Sequence, residues 1–554
     1  MFHVRFTKAI QSIIKAQIML GKKYTLLLED KTMHDGGAVL LDGEKILCIL
    51  ENERITKHKH AVYEKCDEIV DYIINSYNID RNDISIIHDK INIPYSNHHE
   101  LHAASTYYSS GFDKASILVI DGYGDQNDCI TLFAGRGNKI YELKKYDIKY
   151  SLGLMYDCVA RILYNGAAHS EGKMMGMSCC SDPEYSIPSP IQFHEDGTVE
   201  NLTMSEEDTK CSEENIIKYI EDHFAYLFDD EDNVLRTDIY KAKIAATVQW
   251  WFTEQVKNIV KYLKSLNPSA ENLCVCGGCF LNCETNGVID KMGLFKNIYC
   301  IPAPADNSII LGRAQQYLVE MTGKPQIIKS PYWGPKHDKT YEELLDIFRI
   351  QKTENGLVSD IYNAINITEY NEDWVIEKLK EDKVILWFDG ESEYGPRALG
   401  HRSFLANPQS NNTFWRLSVE IKNRENYRPL APITTDELYP LMFEDDSPEN
   451  LTAFMLKTVK IKKEWQSKIR AVTHINQTAR PQRLTEDINP VLYSLIGKWH
   501  QQTGIPCLIN TSLNLKGQPL LETYNDLKSL CSHPNIIHKN CSVVVDHKLC
   551  FDLR

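Results

Sequence analysis

The stretch Asn97–Asp125 reads NHHELHAASTYYSSGFDKASILVIDGYGD and carries the clearest structural signal in the sequence. His98 and His102 stand four residues apart in a segment that favours a helix, with Ser96 as a candidate cap, so both imidazoles lie on one helix face. The apolar, largely β-branched run that follows predicts a buried strand, which ends at Asp121 before a glycine-rich turn. The stretch therefore predicts a helix and a strand that present two imidazoles and a carboxylate.

Two imidazoles and a carboxylate at a strand end are three ligands of a divalent transition-metal site. Taken alone, the histidine pair is more typical of an exposed helix face, but the strand context favours the metal interpretation. Asp306 precedes an apolar helix that begins near Ile309, where it is either a helix cap or a fourth ligand. Two histidines with two carboxylates suit Fe(II), Mn(II) or Zn(II).

Length and charge limit the class of protein. At 554 residues the chain is too long for one compact core, so two or more domains are expected. A net charge of −15 argues against a general nucleic-acid-binding protein, which needs a basic face. No apolar run approaches the roughly 20 residues of a membrane span. The 16 cysteines have no disulfide-like spacing, which favours the reducing cytoplasm.

The first 23 residues contain no acidic side chain and have helix-like apolar spacing. Such a segment is typical of a transit peptide or a membrane-surface helix. Because it has a single arginine and a clear strand begins directly after it, we interpret residues 1–23 as a plain N-terminal extension.

A cysteine-rich segment, CVCGGCFLNC, contains Cys274, Cys276, Cys279 and Cys283. A CxxC pair within four cysteines is typical of zinc or iron–sulfur sites. The spacing matches no standard zinc module, and no second CxxC occurs elsewhere in the sequence to complete one. We therefore interpret these cysteines as small buried residues around a glycine turn that a ligand approaches.

The pattern of apolar residues divides the chain into two α/β units. The first opens with a strand from Tyr24, a glycine-rich turn and hairpin-linked strands. Helices are predicted over Lys57–Tyr77, Ser151–Tyr164 and Lys241–Leu266, while the acidic residues 181–232 predict an irregular insertion or cap over the site.

A proline- and lysine-rich connection leads to the second unit, which starts with a helix near Trp374. The buried strand Lys383–Phe388 follows, and then a loop dense in Gly, Pro and Arg. We expect four segments: an extension at 1–23, a first domain at 24–345, a linker region at 346–372 and a second domain at 373–554.

Two segments of the first unit could act on a substrate. At the turn His34–Gly37, backbone amides could face a phosphate or carbonyl oxygen, and His34 is either a general base or a hydrogen-bonded turn residue. Lys173 lies in a predicted ligand-closing loop, Glu171–Gly176, where it either reaches a phosphate or is a solvated charge.

The glycine pair of the cysteine-rich segment lies between an apolar strand and a helix. Gly277, Gly278 and Asn282 are therefore placed to suit a nucleotide phosphate or ribose at a helix N-terminus.

Basic side chains cluster in loops of the second unit. Arginine binds phosphate or carboxylate in a bidentate way and lysine adds a compact charge, so this cluster in an acidic chain predicts a small-phosphate pocket. Polar residues after a later strand offer further donors to a nucleotide. The candidates are Arg397, Arg402, Lys422, Arg424, Arg428, Arg480, Asn510, Ser512 and Asn514.

Ten motifs give the sequence a family resemblance. They are HDGGAVL, NHHELHAAS, VIDGYGD, SEGKMMGM, CGGCFLNCETNG, PAPADNS, EYGPRALGHRS, KNRENYRPLAP, TAR and INTSLN. Their order, from about residue 24 to residue 525, resembles that of the NodU/CmcH/TobZ-type O-carbamoyltransferases of antibiotic, toxin and nodulation-factor biosynthesis. The extra cysteines, and Leu513 where Phe is commoner, depart from the family pattern.

The resemblance implies an α/β protein with an N-terminal domain of the actin–hexokinase type (Kae/TsaD type) and a C-terminal YrdC-like α/β domain. It implies that ATP, with magnesium, and carbamoyl phosphate form carbamoyladenylate in the YrdC-like domain. A hydroxyl of a small-molecule acceptor then takes the carbamoyl group in the first domain.

The resemblance also implies residue roles. The metal, usually iron(II), is held by His98, His102, Asp121 and Asp306, and His34 deprotonates or orients the acceptor. Arg397 and Arg402 are the catalytic residues that bind carbamoyl phosphate. The other basic and polar candidates of the second unit bind carbamoyl phosphate and ATP. Carbamoyladenylate in the first domain is bound by Lys173, Gly277, Gly278 and Asn282.

Two other functions use the same domain types. Threonylcarbamoyladenosine synthesis for tRNA is disfavoured by the acidic charge and the lack of a basic stripe. A non-catalytic nucleotide- or metal-binding regulator is disfavoured by the retained set of charged loop residues. The expected partners are a small-molecule acceptor, no nucleic acid and no membrane, with a homodimer as a candidate assembly.

Overall fold

The computed structural model describes residues 22–29, 34–62, 64–88, 97–204, 213–225, 234–353, 356–359, 364–448 and 450–553. Within these ranges the chain is a mixed α/β protein with three main sheets, which confirms the predicted fold class at that level. The predicted extension at residues 1–23 lies almost entirely outside the described residues, and so does the candidate cap Ser96.

Strands and helices are interspersed in the N-terminal half. Its strands are β1 (Tyr24–Glu29), β2 (Gly37–Leu41), β3 (Ile46–Glu51), β4 (Ile84–His88), β5 (Lys114–Ile120), β6 (Asp128–Arg136), β7 (Lys139–Asp147), β8 (Ile191–Phe193), β9 (Val199–Asn201), β10 (Asn272–Cys276) and β11 (Asn297–Cys300). Its helices are α1 (Glu53–Thr56), α2 (Asp67–Ser76), α3 (His98–Ser110), α4 (Leu152–Leu163), α5 (Glu171–Ser178), α6 (Glu213–Phe224), α7 (Val234–Leu266), α8 (Cys283–Lys291) and α9 (Ile309–Thr322).

The C-terminal half is built around one large sheet. Its strands are β12 (Gln351–Thr353), β13 (Gly356–Val358), β14 (Ala364–Glu369), β15 (Val384–Phe388), β16 (Arg402–Ala406), β17 (Ala431–Thr435), β18 (Val459–Lys460), β19 (Thr478–Ala479), β20 (Gln482–Leu484), β21 (Leu508–Ser512), β22 (Cys541–Val545) and β23 (Leu549–Leu553). Its helices are α10 (Tyr341–Ile347), α11 (Glu372–Lys380), α12 (Asn411–Trp415), α13 (Tyr439–Met442), α14 (Asn450–Ala453), α15 (Lys463–Gln466), α16 (Pro490–Thr503) and α17 (Tyr524–Cys531).

The first sheet follows the predicted strand and hairpin, with the order β3-β2-β1-β4. Leu26 of β1 lies opposite Leu40 of antiparallel β2, and β4 runs parallel to β1. The single helix predicted over Lys57–Tyr77 is wrong. Lys57 adopts a left-handed conformation (φ +65°) that ends α1, and the next α-helix, α2, begins only at Asp67.

The second sheet has the order β11-β10-β5-β6-β7 and places β5 at its centre. Helix α3 crosses α9 at Gly312, where a Cβ atom would lie only 2.2 Å from the carbonyl oxygen of Leu101. This close approach needs glycine. It brings the segment before α9, with Asp306, against the face of α3 that carries His98 and His102.

Two further sequence predictions for the N-terminal half are wrong. The predicted loop Glu171–Gly176 is helix α5, which buries Met174 and Met177 at helical spacing. The stretch 181–232 is not irregular where it is described, since it contains the β8–β9 hairpin and α6. Helix α6 forms because Ile216, Ile220 and Phe224 share one buried face.

The third sheet has the order β14-β23-β22-β15-β16-β21-β17-β20. Strand β15 is buried at all five positions, as a central strand requires, and pairs in parallel with β22 and antiparallel with β16. The stretch 346–372, predicted as a linker, contains the β12–β13 hairpin and β14, which pairs with β23. Strand β14 therefore belongs to the C-terminal sheet.

The two halves share buried surface. Tyr394, from the loop after β15, is 1% exposed and belongs to the same hydrophobic core as Tyr299 and Ile301 of the N-terminal half. Its hydroxyl donates to the carbonyl oxygen of Asn307 at 2.8 Å. Among the described helices, none is both long and apolar enough to cross a membrane.

Candidate active site

Helix α3 presents His98 and His102 as one pair. Asn97 caps the helix by accepting a hydrogen bond from the His99 amide at 3.0 Å. The Nε2 atoms of His98 and His102 lie 3.1 Å apart, and both histidines are buried. The predicted shared face is therefore present, and Asn97 is the residue that caps the helix.

Two aspartates complete this cluster, which we call the donor cluster: His98, His102, Asp121 and Asp306. Asp121 Oδ2 lies 3.1 Å from His98 Nε2 and 3.2 Å from His102 Nε2. Asp306 Oδ1 lies 3.3 Å and 3.7 Å from the same two atoms. One donor atom from each residue falls within 4.8 Å of all the others, so the four predicted ligands meet at one point.

Backbone amides orient Asp121. Its Oδ1 atom accepts from the amides of Gly122 at 2.9 Å and Gly278 at 3.2 Å, which leaves Oδ2 directed at the histidines. Gly277 makes this approach possible because its φ is +102° and a Cβ atom there would lie 2.2 Å from the carbonyl oxygen of Ile120. The glycine pair therefore supports the donor cluster directly.

The electrostatics of the cluster are those of a cation site. Burial opposes the imidazolium form, but hydrogen bonds with Asp121 and Asp306 raise the pKa of His98. Burial and the neighbouring Asp306 charge oppose ionisation of Asp121, but the two histidines lower its pKa. Two nitrogen and two oxygen donors at this spacing fit a first-row divalent metal ion such as iron(II).

His34 lies at the edge of the donor cluster. Its Nε2 atom is 3.7 Å from Asp306 Oδ2, and its Nδ1 atom is 2.8 Å from Asp35 Oδ2. The His60 Nδ1 atom lies 3.0 Å from the other oxygen of Asp35. Although burial favours neutral Asp35, the hydrogen bonds with His34 and His60 lower the pKa of this carboxyl group. The Asp35 carboxylate thus fixes the ring of a half-exposed histidine beside the cluster.

A second site is a cavity of about 310 Å³ between the two halves of the chain. Its wall combines Cys283 and Glu284, from the segment after the glycine pair, with loops of the C-terminal half. Seven basic residues line it: Lys59, Arg397, Lys422, Arg424, Arg428, Arg480 and Lys516.

The positive charges of the arginines in this cavity are not fully paired with acceptors of the protein. Burial and the charge of Arg480 lower the pKa of Arg397 to about 9, and burial with the charge of Arg428 lowers that of Arg424 to about 9. Within the described part of the chain, no acceptor lies within hydrogen-bond reach of the Nε atoms of Arg397 and Arg480. Buried cations of this kind are stabilised by an anionic ligand.

Polar residues of β21 organise the cavity floor. Lys422 donates to the carbonyl oxygen of Ser512, to the Ser512 hydroxyl at 2.8 Å and to Asn514 Oδ1 at 2.7 Å. Burial, followed by the charges of the nearby arginines, lowers the pKa of Lys422 well below its usual value. Arg424 donates to the Thr511 hydroxyl at 3.1 Å, and Asn510 to the carbonyl oxygen of Ala398 at 3.0 Å.

Arg402 is not among the residues that line this cavity. Its buried guanidinium donates to the carbonyl oxygens of Asp389 and Gly390 and stacks on Phe388 at 3.7 Å. The structure therefore separates Arg402 from Arg397, which sequence reasoning placed together, and gives Arg402 contacts within the β15–β16 connection.

The residues predicted to bind the adenylate in the first domain have different surroundings. Lys173 lies on α5 with its ammonium group 5.3 Å from the centre of the Tyr164 ring. Asn282 caps α8 by accepting from the Thr285 amide at 3.1 Å, and its amide nitrogen donates to Gln249 at 3.0 Å. Neither residue lines the cavity between the halves, whereas Gly172 and Gly176, which flank Lys173, do.

The cysteine-rich segment has no metal-site geometry among the described residues. Cys274 and Cys276 are fully buried in the core, and Cys283 lies 3.8 Å from the sulfur of Met175. Cys276 also lies 3.6 Å from His102 Nδ1, so one cysteine contacts the donor cluster from behind.

Sequence reasoning missed Lys59 and Glu53, which reach the cavity from the N-terminal half. The available signal was the basic run Lys57-His58-Lys59-His60 after β3, which is a local concentration of positive charge in a chain whose net charge is negative. Partial desolvation in the cavity wall lowers the pKa of Lys59, and the charges of Arg397 and Arg428 act in the same direction.

Comparison with known proteins places the chain in a family. The family model described as "Carbamoyltransferase N-terminus" matches residues 86–315, and "Carbamoyltransferase C-terminus" matches residues 376–538. The nodulation protein NolO of Bradyrhizobium diazoefficiens is 30% identical over 441 residues, which cover 78% of this chain and 75% of NolO. The chain belongs to the carbamoyltransferase family.

Other relatives agree with this carbamoyltransferase membership. The 3'-hydroxymethylcephem-O-carbamoyltransferase of Amycolatopsis lactamdurans is 30% identical over 297 residues, covering 53% of this chain and 52% of that enzyme. The uncharacterized protein sll1178 of Synechocystis is 29% identical over 469 residues, covering 78% and 72%. The predicted family resemblance and the predicted class of carbamoyl-transferring enzyme are confirmed.

Proposed function

We propose that this carbamoyltransferase is an ATP-dependent O-carbamoyltransferase that works at two sites. The cavity between the halves activates carbamoyl phosphate with ATP, and the donor cluster is where an acceptor hydroxyl takes the carbamoyl group. One observation carries the proposal. The segment Gly277–Cys283 contacts both sites, because the Gly278 amide binds Asp121 while Cys283 lines the basic cavity.

The basic cavity suits the activation step. ATP and carbamoyl phosphate are both polyanions, so bringing them together requires buried positive charge. Arg397 and Arg480 have guanidinium atoms without protein acceptors, and Lys422 is held by Ser512 and Asn514 at the floor. In this proposal water first hydrolyses carbamoyl phosphate to carbamate and inorganic phosphate. A carbamate oxygen then bonds to the α-phosphorus of ATP as the bond to pyrophosphate breaks, which gives carbamoyladenylate.

The donor cluster suits the transfer step. When bound, the metal ion supplies positive charge that polarises the carbamoyl carbonyl and offsets the charge of the leaving phosphate. His34 takes the proton of the acceptor hydroxyl at Nε2, and Asp35 holds the opposite ring nitrogen. The acceptor oxygen then bonds to the carbamoyl carbon as the bond to AMP breaks. The distance of 3.7 Å between His34 Nε2 and Asp306 Oδ2, at the edge of the donor cluster, supports this role.

The domain assignment follows the same division. We infer that residues 24–345 form an actin–hexokinase-type transfer domain and residues 373–554 a YrdC-like activation domain. This is supported by the separate sheets of the two halves, with the donor cluster in the first and the four cavity-lining arginines in the second. The acceptor class that the family relatives suggest is a small molecule with a free hydroxyl.

A pyrophosphate-release assay tests the proposal. Wild type with ATP and carbamoyl phosphate should release pyrophosphate, and Arg397→Ala should slow this release by at least about a hundredfold. His34→Ala should release pyrophosphate at the wild-type rate but carbamoylate no acceptor. Arg470→Ala, at an exposed arginine, is the matched control and should leave both activities unchanged.

Two results would contradict the proposal. Wild type that releases no pyrophosphate would exclude activation by this route. Release that requires threonine and bicarbonate in place of carbamoyl phosphate would instead support threonylcarbamoyladenosine synthesis. Acceptors are then identified by screening hydroxyl compounds for the mass increase of one carbamoyl group.

A further inference from the structure

A buried ion pair lies between the two proposed sites. Arg54 is 1% exposed and donates to Glu51 Oε2 from Nε at 3.0 Å and from Nη2 at 2.7 Å. Glu51 ends β3 and Arg54 lies in α1 of the N-terminal half, and neither residue is in the donor cluster or lines the basic cavity. The family assignment leaves their role open.

On one side, the pair holds the segment of Asp306. Glu51 Oε1 accepts from the side-chain amide of Asn307 at 2.5 Å, and Asn307 is the residue directly after Asp306. The backbone of Asn307 is fixed as well, because its carbonyl oxygen accepts from the Tyr394 hydroxyl at 2.8 Å.

On the other side, the pair holds the loop of Arg397. Arg54 Nη2 donates to the carbonyl oxygens of Glu393 at 3.1 Å and Gly395 at 2.5 Å. The amide of Gly395 donates back to Glu51 Oε2 at 3.3 Å. Arg397 follows two residues later and lines the basic cavity.

The Arg397 loop has little freedom of its own. Glu393 Oε1 accepts three backbone amides of the same loop, from Leu399 at 2.7 Å, His401 at 2.9 Å and Arg402 at 3.0 Å. Gly395 has a φ of +106°, and a Cβ atom there would lie 2.7 Å from the carbonyl oxygen of Pro302. Because these hydrogen bonds make the loop rigid, its contact with Arg54 and Glu51 determines the position of Arg397.

Stability alone is a weak reason for such a pair. Desolvation of two buried charges offsets most of their attraction, and apolar replacements of buried ion pairs are often equally stable. Beyond the bonds between Arg54 and Glu51, the side-chain hydrogen bonds described above run to the segments of two active-site residues, which gives the pair a geometric use instead.

We propose that Glu51 and Arg54 are positioning residues that fix the Asp306 segment and the Arg397 loop relative to each other. The inference rests on the proposed function, since it assigns Arg397 to activation and Asp306 to transfer. Loss of the pair should therefore impair both sites, although neither residue reaches a substrate.

Two measurements on Arg54→Met test this. The KM for carbamoyl phosphate in pyrophosphate release should rise about tenfold while kcat changes less. The Kd of the metal-free protein for Co²⁺, followed by the visible absorption of the bound ion, should rise about tenfold as well. Arg54→Lys keeps the charge and one hydrogen bond, so it should recover part of both losses.

Lys383→Met is the matched control. It breaks a partly buried pair with Asp552, 2.8 Å apart, that lies at neither site, and both quantities should stay within about twofold of wild type. If Arg54→Met changes neither quantity, or changes them no more than Lys383→Met does, the inference is overturned. A change at only one site also overturns it.

A second variant and the Co²⁺ measurement distinguish a folding defect from a failure of the proposed function. If Arg54→Met does not fold, Glu51→Gln, which keeps the size of the side chain and removes the charge, takes its place with the same expected direction. If wild type releases no pyrophosphate, the proposed function fails, and the Co²⁺ measurement alone decides the positioning role.

Discussion

The Nδ1 atom of His102 lies 2.7 Å from the hydroxyl oxygen of Ser308, so the second imidazole nitrogen, Nε2, faces the donor cluster. A hydrogen bond on the outer nitrogen fixes both the tautomer and the orientation of a metal-binding histidine. Ser308→Ala should therefore weaken metal binding about tenfold without removing a ligand.

This Ser308 prediction is checked by Co²⁺ titration of the metal-free protein. Ser109→Ala is the matched control, because Ser109 is equally buried and accepts from Gln315 at 2.9 Å in the same α3–α9 contact, away from the cluster. Equal affinity of the Ser308 and Ser109 variants would contradict the orientation by Ser308.

Arg402→Met should lower stability rather than substrate affinity. Its guanidinium is fully buried against Phe388 and two carbonyl oxygens, so its loss leaves acceptors unpaired and costs about 3 kcal/mol of unfolding free energy. The measurement is the denaturant midpoint together with the KM for carbamoyl phosphate. A raised KM at unchanged stability would restore Arg402 to substrate binding, as the family resemblance implies.

Lys59→Met should raise the KM for ATP or carbamoyl phosphate in pyrophosphate release by about tenfold, because it removes one charge-assisted contact to phosphate. Lys59 is the basic residue that the N-terminal half contributes to the cavity wall. The exposed Lys45→Met variant is the control and should keep wild-type constants. An unchanged KM for both substrates would place Lys59 outside the anion site.

Glu320→Gln should make stability less dependent on pH. Burial raises the pKa of Glu320 from 4.5 to about 7, so the folded state binds its proton more tightly than the unfolded state. The contribution of Glu320 to the stability of wild type is therefore fully present below pH 4.5 and is lost as the pH rises through about 7. Because Glu320 is only partly buried, the gain of Glu320→Gln at pH 8 is about 1 kcal/mol.

Urea unfolding at pH 4.5 and pH 8 measures the Glu320 effect. The exposed Glu221→Gln, also on a helix, should show no such difference between wild type and variant. A constant offset at both pH values would point to packing rather than to the buried charge.

Local signals made much of this structure predictable from sequence. Helix α3 and strand β5 follow from apolar patterning, and together they put His98, His102 and Asp121 where the interpretation expected them. Asp306 is far from Asp121 in the sequence, and spacing alone left it as either a cap or a ligand. Only the crossing of α3 and α9 brings it to the cluster.

Tertiary placement explains the rest. Arg397 lies in the loop before β16 and Arg402 begins that strand, but the direction of each side chain depends on the closure of the loop around Glu393. Lys59 reaches the cavity only because the two halves pack together. Helix α5 was not predicted because it is short and contains two glycines, so the helical spacing of Met174 and Met177 was too weak a signal.

The position of Tyr394 has a consequence for biosynthesis. A ribosome delivers the whole N-terminal half before it reaches this residue, yet the core around Tyr299 and Ile301 is incomplete until the tyrosine ring arrives. A nascent chain that stops short of Tyr394 has a ring-sized void and an unpaired Asn307 carbonyl. The core of the N-terminal half is therefore complete only after Tyr394 of the C-terminal half has been synthesised.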